Sequence, residues 1–283
     1  TPTPVPTPTP TPTPSPSPTP SGLLGGRFFE LFTEDGEELT EDGYRSENIS
    51  FTVTVVRDEE TYANLVTYYL VDIYVQDVTY IRTAAAGGDF SKRTRDAVSD
   101  IARENEALVA ISGDYYGFSS SGLVLRNGEL YRDNIATGED VCVLYKDGTM
   151  KTFLAGEFTL EELNTEEAWQ IWSFGPELLD YQGEPKTEFN SSVTKRNPRC
   201  AIGYFEPGHY CFVVADGRQS SYSRGMTMSD LSLLMYNLGC TAAYNLDGGG
   251  SAQLFWQDEI FNSPSGGARN MSDIVYIAAE EQP

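Results

Sequence analysis

Residues 201–251 read AIGYFEPGHYCFVVADGRQSSYSRGMTMSDLSLLMYNLGCTAAYNLDGGGS. Two apolar runs, 201–205 and 210–215, flank Glu206-Pro207-Gly208-His209, which predicts a β-hairpin. Residues 227–238 carry apolar side chains at helical spacing. Thr227 with Asp230 forms a capping-box pattern, and Gly239 stands where a left-handed cap is wanted. A third apolar run, 242–246, then leads into Asp247 and three glycines. Hairpin, helix, strand and glycine turn follow one another within fifty residues, and this alternation decides the fold class.

The same grammar extends outward. Strand-like runs occur at 51–56, 68–75, 108–111 and 123–125. Asn127-Gly128 joins the last of these to 129–131, and Asp147-Gly148 joins 141–145 to 150–154; both dipeptides are hairpin turns. Runs at 252–256 and 274–278 complete the set. A second helix is expected at 94–106, with Ala97, Val98, Ile101 and Ala102 on one face, and residues 27–50 read as acidic and irregular. The pattern predicts an α/β to α+β fold: a single domain with a mixed, largely antiparallel sheet, several hairpins and a few packed helices.

Composition narrows the function. The chain carries 19 Lys and Arg against 42 Asp and Glu, a net charge of −23, which argues against nucleic acid as a partner. No run approaches eighteen apolar residues, so no membrane span is expected. The single histidine, His209, excludes a multi-histidine zinc site and reads as a solvated turn residue. The four cysteines, Cys142, Cys200, Cys211 and Cys240, show no C-x-x-C spacing. Cys200 and Cys211 flank the first hairpin at positions offset from its turn, which disfavours a bond between them.

Residues 1–20 hold ten of the sixteen prolines, alternating with Thr and Ser. Such a stretch favours a stiff polyproline II spacer of about 3.1 Å per residue. We therefore expect a stalk over 1–26 and a folded domain over 27–283. A chain opening on Thr1 reads as a mature form or a fragment, and the stalk suggests a secreted or cell-surface location.

Three strand-like runs end in a carboxylate beside glycine: Asp247 before Gly248-Gly249-Gly250, Asp216 before Gly217-Arg218, and Asp114 after Gly113. Three successive glycines fit close backbone approach to a ligand, with N–H groups forming an anion-binding nest; a tight hairpin between 242–246 and 252–256 is the simpler alternative. Without a histidine for nucleophilic catalysis, carboxylate chemistry remains, as in glycoside hydrolysis. Arg82, Arg199, Arg218, Arg224 and Arg269 stand near these turns. In so acidic a chain, such a cluster suits a phosphate group.

These residues resemble the phosphodiester glycosidase family. The likeness is carried by Asn197-Pro198-Arg199, the DGR at 216–218, Ser223-Arg224-Gly225-Met226-Thr227 and NLDGGGSA at 245–252. ISGDYYG, LVLRNGELYRD and Asn262-Ser263-Pro264 with Arg269 extend it in order, over about residues 70–280. The resemblance implies hydrolysis of a sugar-1-phosphodiester of the GlcNAc type, releasing sugar and leaving a phosphomonoester. It places Asp247, Gly248, Gly249, Gly250 and Ser251 in the site, with Asp114, Asp216, Arg199 and Arg218 nearby; Asn262 and Arg269 from the extended match, and Arg82 from the arginines near the turns, complete the expected substrate-binding set. Ser112 and Cys200 depart from the family pattern, which has Asn and Thr there.

The expected chemistry has Asp247 as principal carboxylate and Asp114 or Asp216 as its partner. It requires no cofactor, although Asp-rich turns would accept a divalent cation such as Ca²⁺. The expected partner is a sugar-phosphate diester or glycopolymer. Two other classes fit the residues: a metal-dependent phosphodiesterase cutting the other ester bond, and a non-catalytic wall-glycopolymer-binding module using the tyrosine pairs 68–69 and 115–116.

Overall fold

A computed structural model describes residues 24, 26–62, 65–135 and 138–279. The expected stalk falls almost wholly outside these. The first described residue, Leu24, is already buried in the core, and its N–H donates to the Gln76 carbonyl (3.2 Å).

The described strands form three main sheets, every pairing antiparallel, as the hairpin-rich sequence predicts. The largest has seven strands in the order Glu38–Leu39, Gly43–Arg45, Ile49–Asp58, Val66–Val75, His209–Ala215, Arg199–Glu206 and Ala242–Asn245. Its centre is buried on both faces. On His209–Ala215, Tyr210, Phe212 and Val214 enter one apolar cluster, and Cys211, Val213 and Ala215 enter another, the two-residue period of a pleated strand. The second cluster is closed by the helix Met228–Leu238 through Leu231, Leu234 and Met235. Thr227 and Asp230 make both bonds of the capping box, and Gly239 adopts φ 92°.

A five-stranded sheet, Glu259–Ile260, Leu254–Trp256, Ala107–Ser112, Asp273–Ala278 and Ile81–Ala85, supplies Ile111, Leu254, Trp256, Val275 and Ile277 to the first cluster. Its other face is covered by the helix Val98–Glu104 through Val98, Ile101 and Ala102. That helix starts later than its periodicity suggests, because Asp96–Ala97 pairs as a strand with Asn270–Met271. A second five-stranded sheet joins Met150–Phe153, Val141–Tyr145, Ala168–Trp172, Gly122–Arg126 and Glu129–Asn134. Its hairpin turns on Asn127 (φ 51°) and Gly128 (φ 80°), the conformation that Asn-Gly favours.

The region 27–50 is less irregular than its acidity suggests, since Glu38–Leu39 and Gly43–Arg45 extend the edge of the large sheet. Tyr244 locks the large sheet to the second five-stranded one. Its buried hydroxyl donates to the Asp140 carbonyl (2.6 Å) and accepts from the Phe174 N–H (2.8 Å). Among the described residues no helix is long and apolar enough to cross a membrane.

Candidate active site

The glycine run is not a hairpin. Ala242–Asn245 lies in the seven-stranded sheet, whereas Leu254–Trp256 lies beside Ala107–Ser112 in another. Residues 246–253 therefore cross from one sheet to the next. The crossing is pinned at both ends: Leu246 N–H donates to the Cys200 carbonyl (2.8 Å) and Asp247 N–H to the Gly113 carbonyl (3.2 Å), while the Ser112 hydroxyl donates to the Ser251 carbonyl. Ser112 and Cys200, the two departures from the family pattern, touch through the Cys200 thiol and the Ser112 carbonyl (3.5 Å). Both are fully buried.

A cleft of about 820 Å³ opens over this crossing. Of the residues expected from sequence, Asp247, Gly248, Gly249, Gly250, Ser251, Arg199, Arg218 and Arg269 line it. Each glycine has its own steric reason. A Cβ on Gly248 would sit 2.8 Å from the Pro198 carbonyl oxygen; Gly249 adopts φ 63° with Arg218 Nη2 3.0 Å from where its Cβ would be; and a Cβ on Gly250 would lie 2.5 Å from Arg269 Nε. The expected nest of outward N–H groups is only partly available: Gly249 N–H donates to Pro198 O (2.8 Å) and Ser251 N–H to Gly248 O (3.1 Å). The run mainly makes room for guanidinium groups.

Three arginines thus share one cleft lining with Asp247, and Arg269 is the one whose charge acts on its carboxylate. Arg199 is 3 % exposed and donates Nε to the Met226 carbonyl (3.0 Å) and Nη2 to the Lys195 carbonyl (2.6 Å). Burial pulls it down to about 10, which still leaves it charged near neutrality. Arg218, at φ 60°, is fixed by two bonds to Asn197 Oδ1 (2.8 and 3.2 Å). Arg269 lies over Gly250. Among the described residues none of the three is in an ion pair. They bring positive charge to the cleft of a protein that is otherwise strongly acidic. Burial pushes the Asp247 carboxyl up to about 6, with the Asp114 charge adding to the rise and Ser251 and Arg269 opposing it.

The other expected site residues are placed elsewhere. Asp114 is buried (1 % exposed) in an ion pair with Arg126 Nη2 (2.8 Å) and also accepts from Tyr116 N–H (3.0 Å). Asp273, in the same buried cluster, is held well above the usual carboxylate range by burial and by Asp114, against the pull of Arg126. Asp216 accepts from Asn262 Nδ2 (2.8 Å), Ser263 N–H (3.0 Å) and the Tyr222 hydroxyl (3.1 Å), and Asn262 in turn accepts from Leu254 N–H (2.8 Å). These groups brace the loops and do not line the cleft. Arg82 sits in the strand Ile81–Ala85 opposite Tyr276, also outside the cleft lining. His209 pairs with Asp72 (2.7 Å) and stacks between Phe205 and Tyr74, so it is a half-buried structural residue and not a solvated one. Tyr68, Tyr69 and Tyr116 are core residues. Tyr115, stacked on Phe118 at 4.1 Å, is exposed at the cleft.

Sequence reasoning missed Glu139. It lines the cleft, and its Oε2 is buried and has no hydrogen-bond partner among the described residues. Burial and the Asp114 charge push its carboxyl above the ordinary range, with Arg132 opposing. No motif surrounds it, so only folding reveals it. Asp247 and Glu139 are the two carboxylates of the cleft lining. Among the described residues no group of three His, Cys, Asp or Glu side chains is arranged to hold a metal ion.

Comparison with known proteins places the chain in a family and a fold. The mouse N-acetylglucosamine-1-phosphodiester alpha-N-acetylglucosaminidase is 24 % identical over 201 residues, 65 % of this chain and 38 % of that protein. The SPbeta prophage-derived protein YomE of Bacillus subtilis is 32 % identical over 188 residues, 63 % of this chain and 29 % of that one. The chain therefore spans well under half the length of either relative. The catalytic domain of zebrafish N-acetylglucosamine-1-phosphodiester alpha-N-acetylglucosaminidase, auto-inhibited by its pro-peptide, shares the fold with a TM-score of 0.68. The match covers 87 % of both chains at 20 % identity. Residues 105–278, more than half of the chain and including Asp247 with its three arginines, match the phosphodiester glycosidase family model, and the chain belongs to that family.

Proposed function

We propose that this chain hydrolyses a sugar-1-phosphodiester at the bond between the anomeric carbon and oxygen, releasing free sugar and a phosphomonoester. The carrying observation is that Arg199, Arg218 and Arg269 line the same cleft as Asp247, two of them packed over its glycines. Three guanidiniums suit a phosphate and stabilise the negative charge that builds on its departing oxygen before that oxygen takes a proton. The ionised Asp247 accepts a proton from the water whose oxygen attacks the anomeric carbon. Glu139, whose buried carboxyl holds its proton more readily than an ordinary Glu, donates to the departing phosphate oxygen. A phosphate leaves readily, so this donation contributes less than Asp247 does. The name of the mouse relative makes N-acetylglucosamine the first sugar to test. The proline-rich opening suits action on surface glycopolymers outside the cytoplasm.

The test is a product analysis on a GlcNAc-1-phosphodiester. Wild type should yield free GlcNAc and a phosphomonoester. Asp247→Asn should lose at least about 10³-fold in kcat, and Glu139→Gln about tenfold, the low end for general acid catalysis with a good leaving group. Release of GlcNAc-1-phosphate, or near wild-type turnover by a folded Asp247→Asn variant, would reject this reading.

A further inference from the structure

We infer that Cys211 and Cys240 form a built disulfide site, oxidised by thiol–disulfide exchange, that staples the strand His209–Ala215 to the end of the helix Met228–Leu238. Their sulfurs lie 3.8 Å apart, both buried, although the residues are 29 apart in sequence. The space they share is made by a third residue. Gly203 faces Cys211 across the ladder, and a Cβ on it would sit 2.7 Å from each sulfur. Any side chain at 203 would separate the thiols. The other two cysteines have no such neighbour: the Cys200 thiol is turned to the Ser112 carbonyl, and Cys142 lies in the central core.

The chemistry balances with a small-molecule disulfide as oxidant. The thiolate of Cys240 attacks one sulfur of the reagent and expels a thiolate, leaving a mixed disulfide on Cys240. The Cys211 sulfur, deprotonated in its turn, attacks Cys240 Sγ, closes the bond and releases the second reagent thiol. Two protein thiols lose two protons and two electrons, and the reagent is reduced to two thiols. Cys240 attacks first, because it lies just past the helix end and keeps 4 % exposure, whereas Cys211 is wholly enclosed in its strand. The staple encloses Asp216-Gly217-Arg218 and the capped helix. It stands on geometry separate from the cleft and holds whatever the cleft hydrolyses.

The experiment uses the full chain, first reduced and then incubated with oxidised glutathione. Thiols are counted in guanidinium and peptides are mapped without reductant. The expected count falls from four to two, with one link between the peptides holding residues 211 and 240 and with Cys142 and Cys200 still free. The oxidised form should melt about 6–12 °C higher than the reduced one, as a loop of this size implies. Cys240→Ser should abolish both the thiol loss and the shift, and Cys211→Ala serves if that variant folds poorly. Four thiols after oxidation, or a link through Cys142 or Cys200, would overturn the inference.

Discussion

The guanidinium of Arg269 occupies the space that a side chain on Gly250 would need: a Cβ there would lie 2.5 Å from Nε and 2.7 Å from Nη2. Gly250→Ala should therefore displace Arg269 from the cleft without touching the core. The expected loss in kcat/KM is about 10²-fold, the scale of one donor to a developing anion. Arg269→Gln should lose a similar amount, and the two substitutions together little more than either alone. Additive losses in the double variant would show that Gly250 acts by another route.

The Asp247 carboxyl, pushed up to about 6 first of all by burial, sets the acid limb of the pH profile. Only the carboxylate accepts a proton from water, so kcat/KM should climb tenfold per unit on the acid side of about pH 6, and on the alkaline side fall by no more than about tenfold as Glu139 loses its proton. Ser251 favours the charged form by hydrogen bonding. Removing that bond in Ser251→Ala should move the limb to higher pH. An acid limb at the ordinary aspartate position in wild type, or no movement in Ser251→Ala, would contradict this assignment.

Arg126 is fully buried between Asp114 (2.8 Å) and Asp273 (3.9 Å) and also donates to the Ile171 carbonyl. Arg126→Met leaves a buried carboxylate without its counter-charge and should cost about 3–5 kcal/mol in denaturant unfolding. Asp273→Asn should cost far less. Asp273 already retains its proton well above the usual range, so the change replaces one neutral group by another of similar shape. Equal costs for the two variants would mean that Asp273 is charged in the fold.

Chelation separates glycosidase from metal-dependent phosphodiesterase. Asp114 and Asp216 are committed to Arg126, Asn262 and Tyr222, so two carboxylates, Asp247 and Glu139, line the cleft. Activity on the phosphodiester should survive dialysis against EDTA. Loss of turnover that Ca²⁺ or Mg²⁺ restores would favour the phosphodiesterase.

Local chemistry was the legible part of the fold. Asn127-Gly128, Asp147-Gly148 and Glu206-Pro207-Gly208 marked the three hairpins, and Thr227, Asp230 and Gly239 bounded the longer helix, because turns and caps are written in neighbouring residues. The strand Ala168–Trp172 went unread: no turn dipeptide marks it, and its partners, Val141–Tyr145 and Gly122–Arg126, lie far upstream. The site shows the same division. Asp247, Asp216 and Asp114 look alike in sequence, each at a strand end beside glycine. What separates them is contributed from a distance, by Arg126 to Asp114, by Asn262 to Asp216 and by Arg269 to Asp247. Glu139 was invisible for the converse reason, since nothing local distinguishes it from the other acidic residues of this chain.

The passage of residues 246–253 from one sheet to another has a consequence for how such a site is inherited. Asp247 is delivered by the seven-stranded sheet, yet its N–H is held by Gly113 at the end of a strand in the other, and Arg269 reaches the glycine run from the residue just before Asn270–Met271. Neither sheet owns the chemistry. A segment excised around the glycine motif would carry the recognisable letters and none of the geometry, so the motif has meaning only within the whole domain. Moving the site to another scaffold therefore means moving the seam between the sheets as a unit.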